Sequence, residues 1–352
     1  MKILFDYQCF YRDKVGGVSR YFNEIINHFP SDYESKIEIL TSNNVYIEDL
    51  KVSYKVPDWN NRLYHKAIKT LNQIDSIKAI RKNDYDIFHP TSYDPYYISH
   101  AKKPVVVTIH DMIWEVYHLN PIIEKWRRKQ ILSADKIITV SEYTRKDLLE
   151  MFDIDPSNVE TIYHGVNALK YDIVDVPYGR YVLFVGKRDG YKNFENFIRA
   201  MSIIIQKDKD LNVICTGNKF TNKELVLIHD LGLEHNVFQK FVSDVELYNL
   251  YSNALLFVYP SLYEGFGIPI LEAFYCKCPT AISNASCFPE IAQDASFYFD
   301  SLSIESMIFS LSQVLYNDDL RNDLVMRGEK RLSAFSWRKA ANETCSVYQS
   351  LI

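Results

Sequence analysis

The sequence predicts an α/β protein made of two doubly wound halves. Three observations carry that expectation. Short, apolar, β-branched runs alternate with helical periodicity along almost the whole chain. The alternation pauses once, in a polar stretch at 168–180, and then restarts. The chain has 352 residues, long for one hydrophobic core and comfortable for two.

In chain order, residues 2–7 (KILFDY) read as the first strand, and Gly16-Gly17 breaks the chain before a helix over 18–28. IEIL at 37–40 is expected as the second strand, followed by strands at 86–90, 104–111, 136–141 and 159–165. Continuous apolar strands joined by helices imply a parallel sheet covered on both faces. Pro177 and Gly179 mark the linker. Beyond it, strands are expected at 181–186, 211–217, 237–241, 254–260, 279–283 and 296–300. Three helical segments close the chain, the last running from Trp337 to Ser350. Ligands of such sheets settle at the carboxyl ends of the strands, at the switch point. Two halves offer two such crevices, and facing each other they make one interdomain cleft.

Composition narrows the function classes. A net charge of −5 argues against a general nucleic-acid binder. The six cysteines (Cys9, Cys215, Cys276, Cys278, Cys287 and Cys345) show neither zinc nor redox spacing, and read as buried, reduced thiols of a cytosolic protein. Met1-Lys2 leads straight into a strand, so no signal peptide is expected. No apolar run approaches the ~18 to 20 residues of a membrane span.

Chemistry concentrates in four segments. Pro260-Ser-Leu-Tyr-Glu264-Gly-Phe-Gly-Ile-Pro-Ile-Leu-Glu272 follows a strongly apolar strand. Gly265 and Gly267 allow a tight turn, and Pro269 suits the first turn of a helix. Backbone N–H groups and the helix dipole there would receive a diphosphate, while Glu264 and Glu272 can accept hydrogen bonds from hydroxyls. Val185-Gly186-Lys187-Arg188-Asp-Gly-Tyr-Lys192-Asn193 places three cations after another strand, where phosphate oxygens need neutralising. Thr108-Ile-His110-Asp111 ends a strand of the first half; its histidine is either a packed core residue or a contact to a reacting centre. Gly16-Gly17-Val-Ser-Arg20 opens the first helix without forming a dinucleotide fingerprint. The D-x-D pairs Asp84/Asp86 and Asp153/Asp155 read as solvated turn aspartates, the first pair lying at the amino end of a strand, away from the crevice.

Together these segments resemble the family 4 retaining glycosyltransferases of glycosyl transferases group 1, which have the GT-B fold. The resemblance runs through GGVSRYFNEI, FHPTSYDPYY, VVVTIHDMIWE, ADKIITVSEYTRKDL, IYHGVN, YVLFVGKRDGYKNF, YPSLYEGFGIPILEAF and PEIA. It implies an acceptor-side domain over 1–170, a nucleotide-sugar-binding domain over 171–335, and a C-terminal helix at 336–352 crossing back to the first. It also implies roles. Glu264 would hold hydroxyls of the donor sugar and Glu272 the ribose. Arg188 and Lys192 would neutralise the diphosphate, aided by N–H groups at Gly17, Phe266, Gly267 and Ile268. His110 would lie beneath the anomeric centre, and the base would rest near Gly217, Phe241 and Val242. Two departures stand out: relatives often carry Arg where this chain has Lys187, with Arg188 following, and Asp where it has Asn167.

The resemblance thus implies a metal-independent transferase, without cofactor, moving a sugar from a nucleotide diphosphate sugar to a glycan or lipid-linked acceptor in surface polysaccharide synthesis. Alternatives are an epimerase or phosphorylase of the same fold, or a non-catalytic sugar-nucleotide binder. Residues 61–82, with Leu63, Ala67, Leu71 and Ile74 on one helical face, and Trp126-Arg-Arg-Lys129 gather positive charge. They read either as ordinary surface or as a dock for anionic lipid, which would place a cytoplasmic protein at the inner face of the membrane.

Overall fold

A computed structural model of the protein describes residues 1–12, 14–47, 62–166, 171–188 and 190–352. Asn167, the first linker residues with the boundary expected at 170, Asp189, residue 61 and the Leu63 side chain lie outside the described residues. The chain forms two compact units, Met1–Gly165 with Ser336–Ile352, and Val166–Phe335.

The first unit holds β1 (Lys2–Asp6), β2 (Glu34–Glu38), β3 (Ile87–His89), β4 (Val106–Ile109), β5 (Lys136–Thr139) and β6 (Val159–Thr161). They pair in the orders β2-β1-β3 and β4-β5-β6, all parallel. A parallel bridge between Phe88 and Val105 links the two sets, with the Phe88 N–H donating to the Pro104 carbonyl at 3.0 Å. The switch point lies between β1 and β3. Both faces are covered, so Ile3, Leu4, Phe5, Val106, Val107 and Ile109 are all buried.

β2 begins three residues earlier than the apolar run IEIL suggests. It also stops at Glu38, two residues short of the end of that run, and there the cause is Asn72, fully buried on the helix Arg62–Lys82. Its side-chain oxygen accepts the N–H groups of Leu40 (2.8 Å) and Thr41 (3.1 Å), and its amide donates to the Thr41 carbonyl. That takes the backbone out of the ladder where the sequence pattern would continue it.

Asp84 and Asp86 sit before β3, at the amino edge. The Asp86 carboxylate accepts the Lys2 N–H at 2.8 Å, and Asp84 pairs with the Lys2 ammonium at 3.0 Å. Asp155 caps the turn Pro156–Asn158.

The last helix, Trp337–Gln349, belongs to the first unit. Trp337, Ala340, Val347 and Tyr348 join the core of β1, β3 and the helix Gly17–Asn27. The Tyr348 hydroxyl lies 2.7 Å from His89 Nδ1, and the Tyr33 hydroxyl donates to the Cys345 carbonyl. At the point where the chain leaves this unit, a Cβ on Gly165 would meet the Trp337 nitrogen at 2.2 Å, so only glycine fits.

The second unit holds β7 (Arg180–Phe184), β8 (Leu211–Thr216), β9 (Val237–Lys240), β10 (Leu256–Tyr259), β11 (Thr280–Ser283) and β12 (Phe297–Phe299). Their order is β12-β11-β10-β7-β8-β9, all parallel, with three strands on each side of the β7/β10 switch point. The helix Phe194–Lys207 buries Phe197, Ile198, Met201, Ile204 and Ile205 at i, i+1, i+4, i+7 and i+8 against this sheet. Each such side chain contributes about 1.5–3 kcal/mol by leaving water. The described part of the linker is tied to this unit: Tyr171 bonds Ser252 at 2.6 Å, and the Val174 N–H donates to Asn249 at 2.8 Å.

Candidate functional site

The turn after β7 is built by two residues in the left-handed region. Gly186 has φ 110°, and Asn193, with φ 58°, starts the helix Phe194–Lys207. Asparagine tolerates that conformation better than most residues, and its amide fixes it further. Asn193 Nδ2 donates to the carbonyls of Pro260 (3.1 Å) and Ser301 (2.7 Å). A second tie, from the Leu262 N–H to the Tyr191 carbonyl at 2.7 Å, binds the turn after β7 to the loop after β10. Lys192 is thereby held at the switch point.

The loop after β10 leads into the helix Ile268–Tyr275, with Gly267 at its N-cap (φ 98°) and Pro269 in the first turn. No acidic residue stands in that turn and no side chain caps it. Such an N-terminus carries partial positive charge, the environment a phosphate favours. The Glu264 N–H donates to Ser286 Oγ at 3.0 Å, which aims the Glu264 side chain across the loop. Its Oε1 lies 2.5 Å from Lys192 Nζ, the two side chains being only 11% and 15% exposed. Lys192 also lies over the rings of Tyr191 (5.1 Å) and Tyr259 (5.5 Å). The Tyr259 hydroxyl hydrogen-bonds Glu264, and burial with that carboxylate pushes its pKa well up. Glu272 is buried one turn into the helix.

Arg188 faces elsewhere. Its Nε donates to Glu224 at 2.6 Å, Nη1 to the Thr216 carbonyl at 3.4 Å, and Nη2 to the carbonyls of Asn218 (2.6 Å) and Lys219 (3.1 Å). The guanidinium lies 4.8 Å from the centre of the Phe220 ring, and its side chain is 5% exposed. These bonds tie the guanidinium to the loop after β8. Lys187, its neighbour, is exposed. A cavity of about 710 Å³ opens beside the β7 turn, lined by Lys187, Lys219 and Lys223 but by neither Lys192 nor Glu264.

The loop Arg188 holds contains Gly217, with φ 104°, where a Cβ would approach the Gly186 carbonyl oxygen to 3.0 Å. The Gly217 N–H donates to the Lys240 carbonyl at 3.0 Å, so the ends of β8 and β9 are coupled. Phe241, just past β9, is 85% exposed, and Val242 is half-buried. An exposed aromatic at the end of a strand offers a flat face for stacking a ring.

In the first unit, Gly17 opens its helix exposed, with open space where a side chain would be. His110 follows β4. Its ring meets Tyr21 edge-on at 4.9 Å, and its Nε2 is buried with no hydrogen-bond partner among the described residues. Desolvation, with Arg127 adding to it, pushes its pKa down to about 3, so the ring is neutral. Arg127 is fully buried. It donates from Nε to Glu115 (2.6 Å) and from Nη2 to the Asp111 carbonyl (2.5 Å), and stacks on Tyr93 at 4.6 Å. The expectation that Arg127 belongs to a lipid-facing surface is therefore corrected.

Sequence reasoning missed Tyr259, Glu224 and the part played by Asn193. Glu224 was visible as the third residue of a Thr221 capping box, a signal that explains its helix but not its pairing with Arg188. Tyr259 reads as a strand residue, and the apolar pattern of its strand hides the contact its hydroxyl makes with Glu264 in the loop that follows.

Known proteins resemble this chain in both of its units. The family profile for Glycosyl transferases group 1 matches residues 177–331, and that for Glycosyltransferase Family 4 matches residues 15–168. O-antigen chain mannosyltransferase B of Escherichia coli is 26% identical over 310 residues, covering 81% of this chain and 80% of that protein. O-antigen chain mannosyltransferase RfbU of Salmonella typhimurium is 29% identical over 217 residues, covering 59% of this chain and 61% of its own length. Among solved structures, HepE of Anabaena in complex with UDP and glucose superposes with a TM-score of 0.76 at 15% identity, covering 99% of each chain. Both curated relatives are transferases, which favours that reading over an epimerase, a phosphorylase or a non-catalytic binder.

Proposed function

The chain belongs to the glycosyl transferases of group 1 and family 4, with the GT-B fold, and on that premise we propose that it moves a sugar from a nucleoside diphosphate to a hydroxyl of a glycan or lipid-linked saccharide in surface polysaccharide synthesis. The observation that carries the reading is the convergence of Lys192 and Glu264 at the β7/β10 switch point, beside the N-terminus of the helix Ile268–Tyr275.

In this reading Lys192 and the exposed Lys187 neutralise the diphosphate, and N–H groups of Phe266, Gly267 and Ile268 and of Gly17 complete its cradle. Glu264 accepts hydroxyls of the sugar, Glu272 those of the ribose, and Phe241, Val242 and Gly217 border the base. His110, neutral, donates or accepts a hydrogen bond at the sugar without adding charge. The bond from the anomeric carbon to the phosphate oxygen breaks, and one to the acceptor oxygen forms. The acceptor proton passes to the departing diphosphate oxygen. Retention by this front-face route fits a site with no carboxylate assigned as nucleophile. Fixed cations and N–H dipoles stabilise the leaving group's charge in place of a metal. Asp84 and Asp86, the D-x-D pair before β3, bond Lys2 at the amino edge of that strand.

The test is release of nucleoside diphosphate from UDP-, GDP-, ADP- or dTDP-sugars, stimulated by acceptor and measured with EDTA present. NMR of the first-formed glycoside reads its configuration. No turnover with any donor sinks the transferase reading, loss in EDTA the metal-free mechanism, and an inverted linkage the front-face route.

Docking on anionic lipid is the second part of the proposal. No helix of the described residues is long and apolar enough to cross a membrane. The helix Arg62–Lys82 buries Asn72, Ser76 and Ile80 and leaves Leu71 and Ile74 exposed beside Lys66, Lys78 and Arg81. The helix Pro121–Ser133 exposes Ile122 and Leu132 with Lys125, Arg128 and Lys129. Lys69 pairs with Asp94 and lies 5.3 Å from the Trp126 ring, which makes the two helices neighbours. Co-sedimentation with anionic vesicles should weaken with salt and after Lys66, Lys78 and Arg81 are changed to Glu. Equal binding to neutral vesicles would leave these faces as ordinary surface.

A further inference from the structure

The two side chains that the proposed reaction needs most are bonded to each other. Lys192 Nζ sits 2.5 Å from Glu264 Oε1 in a nearly closed environment, with Tyr259 donating to the same carboxylate and the Tyr191 and Tyr259 rings flanking the ammonium. We infer that this ion pair is an internal competitor for the leaving group: it yields to the intact donor and re-forms once the sugar has gone, expelling the nucleoside diphosphate. The inference rests on the reading of Lys192 as a diphosphate ligand and Glu264 as a sugar ligand.

The argument is electrostatic. A diphosphate that reaches Lys192 must either displace Glu264 or share the ammonium with it. Displacement leaves a carboxylate of low exposure without its cation, which is costly in a desolvated site. Sharing brings two anions onto one ammonium at short range, where the low local dielectric magnifies their repulsion. The intact donor offsets this penalty, because its sugar hydroxyls donate to Glu264 as the ammonium withdraws. A nucleoside diphosphate without sugar has nothing to offer that carboxylate. The pair therefore separates donor from product by a group the product lacks, and transfer itself restores the competitor. Tyr259, bonded to Glu264 throughout, keeps the carboxylate aimed at the place the ammonium returns to.

Isothermal titration of the full-length chain with UDP, GDP, ADP and dTDP tests this. Glu264→Gln keeps the shape and removes the negative charge, so it should bind the preferred diphosphate about tenfold more tightly than wild type. The same variant should bind the corresponding nucleotide sugar no more tightly than wild type. Lys192→Ala should weaken diphosphate binding. Unchanged binding in Lys192→Ala would overturn the site assignment itself. Weakened binding there, with equal or weaker binding in Glu264→Gln, would overturn the competitor alone, as would failure of both Glu264→Gln and wild type to bind any diphosphate. A readout free of variants is product inhibition: in the wild-type enzyme the inhibition constant of the diphosphate should exceed the KM of the donor, and a constant well below KM contradicts the inference.

Discussion

Arg127 in the first unit and Arg188 in the second stand in equivalent predicaments. Each belongs to a cluster of cations that the sequence presents as a surface for binding, one for lipid and one for phosphate. Each is folded inward. Arg127 ties the segment after β4 through Glu115 and the Asp111 carbonyl, and Arg188 ties the loop after β8 through Glu224 and the carbonyls of Thr216, Asn218 and Lys219. Both also stack on an aromatic ring. The difference is in depth. Arg127 is sealed from solvent, whereas Arg188 borders a cavity. A guanidinium can gather several carbonyls at once and tolerates stacking, so it suits the organising of loops; an ammonium is a point charge that can exchange partners.

The comparison breaks first at Arg127. Replacing it with alanine leaves the buried Glu115 carboxylate without its cation and should lower unfolding stability by about 3–5 kcal/mol. Lysine should not restore it. A denaturant midpoint shift equivalent to less than 1 kcal/mol would mean the buried pair does not support the β4 loop.

A smaller effect should distinguish Arg188 from Lys192. Lys192→Ala should cost about 2–4 kcal/mol in kcat/KM. Arg188→Ala should raise the donor KM by the equivalent of about 1.5–3 kcal/mol, through disorder of the loop after β8, with kcat nearly kept. If Arg188→Ala instead lowered kcat as Lys192→Ala does, the guanidinium would be touching the diphosphate after all.

Acid sharpens the first-unit side. His110 and His89 are held neutral by burial, each with a pKa pushed down to about 3. In the unfolded chain they take up protons near pH 6.5. The unfolded state then binds more protons across the window from about 6.5 to 3, so stability falls as pH falls through it. Each histidine adds at most ~1.4 kcal/mol per pH unit to that slope. Unfolding midpoints measured from pH 7 to 4 should decline, and His89→Gln should flatten the decline; an unchanged slope would count against the buried neutral ring.

Much of the fold was legible because it rests on local signals. Eleven of the twelve strands among the described residues follow apolar runs, and Pro269 marks a helix start where it stands. The placement of Asp84 and Asp86 at an amino edge followed from strand direction alone. What escaped depends on partners distant in sequence. β2 ends early because Asn72, more than thirty residues on, takes the backbone just beyond it. Arg188 turns away because Glu224 and three carbonyls meet it, and a basic run gives no sign of which of its members will be enclosed. Tyr259 is the exception: it stands close to Glu264 in sequence, and the apolar pattern of β10 gives no sign that its hydroxyl meets that carboxylate.

Gly165 has a topological consequence. Its Cα lies so near the Trp337 backbone that a single added carbon would collide. The chain departs from the first unit at that residue and comes back at Ser336, so the whole second unit is an insertion whose two stems share one root. The host is thus a ring nearly closed on itself, completed by its own last helix rather than by its guest. Joining Gly165 to Ser336 through a short turn should give a chain that melts cooperatively, whereas deleting the last helix should not, and a cooperative melt by the second chain would show that the ring does not need its final segment.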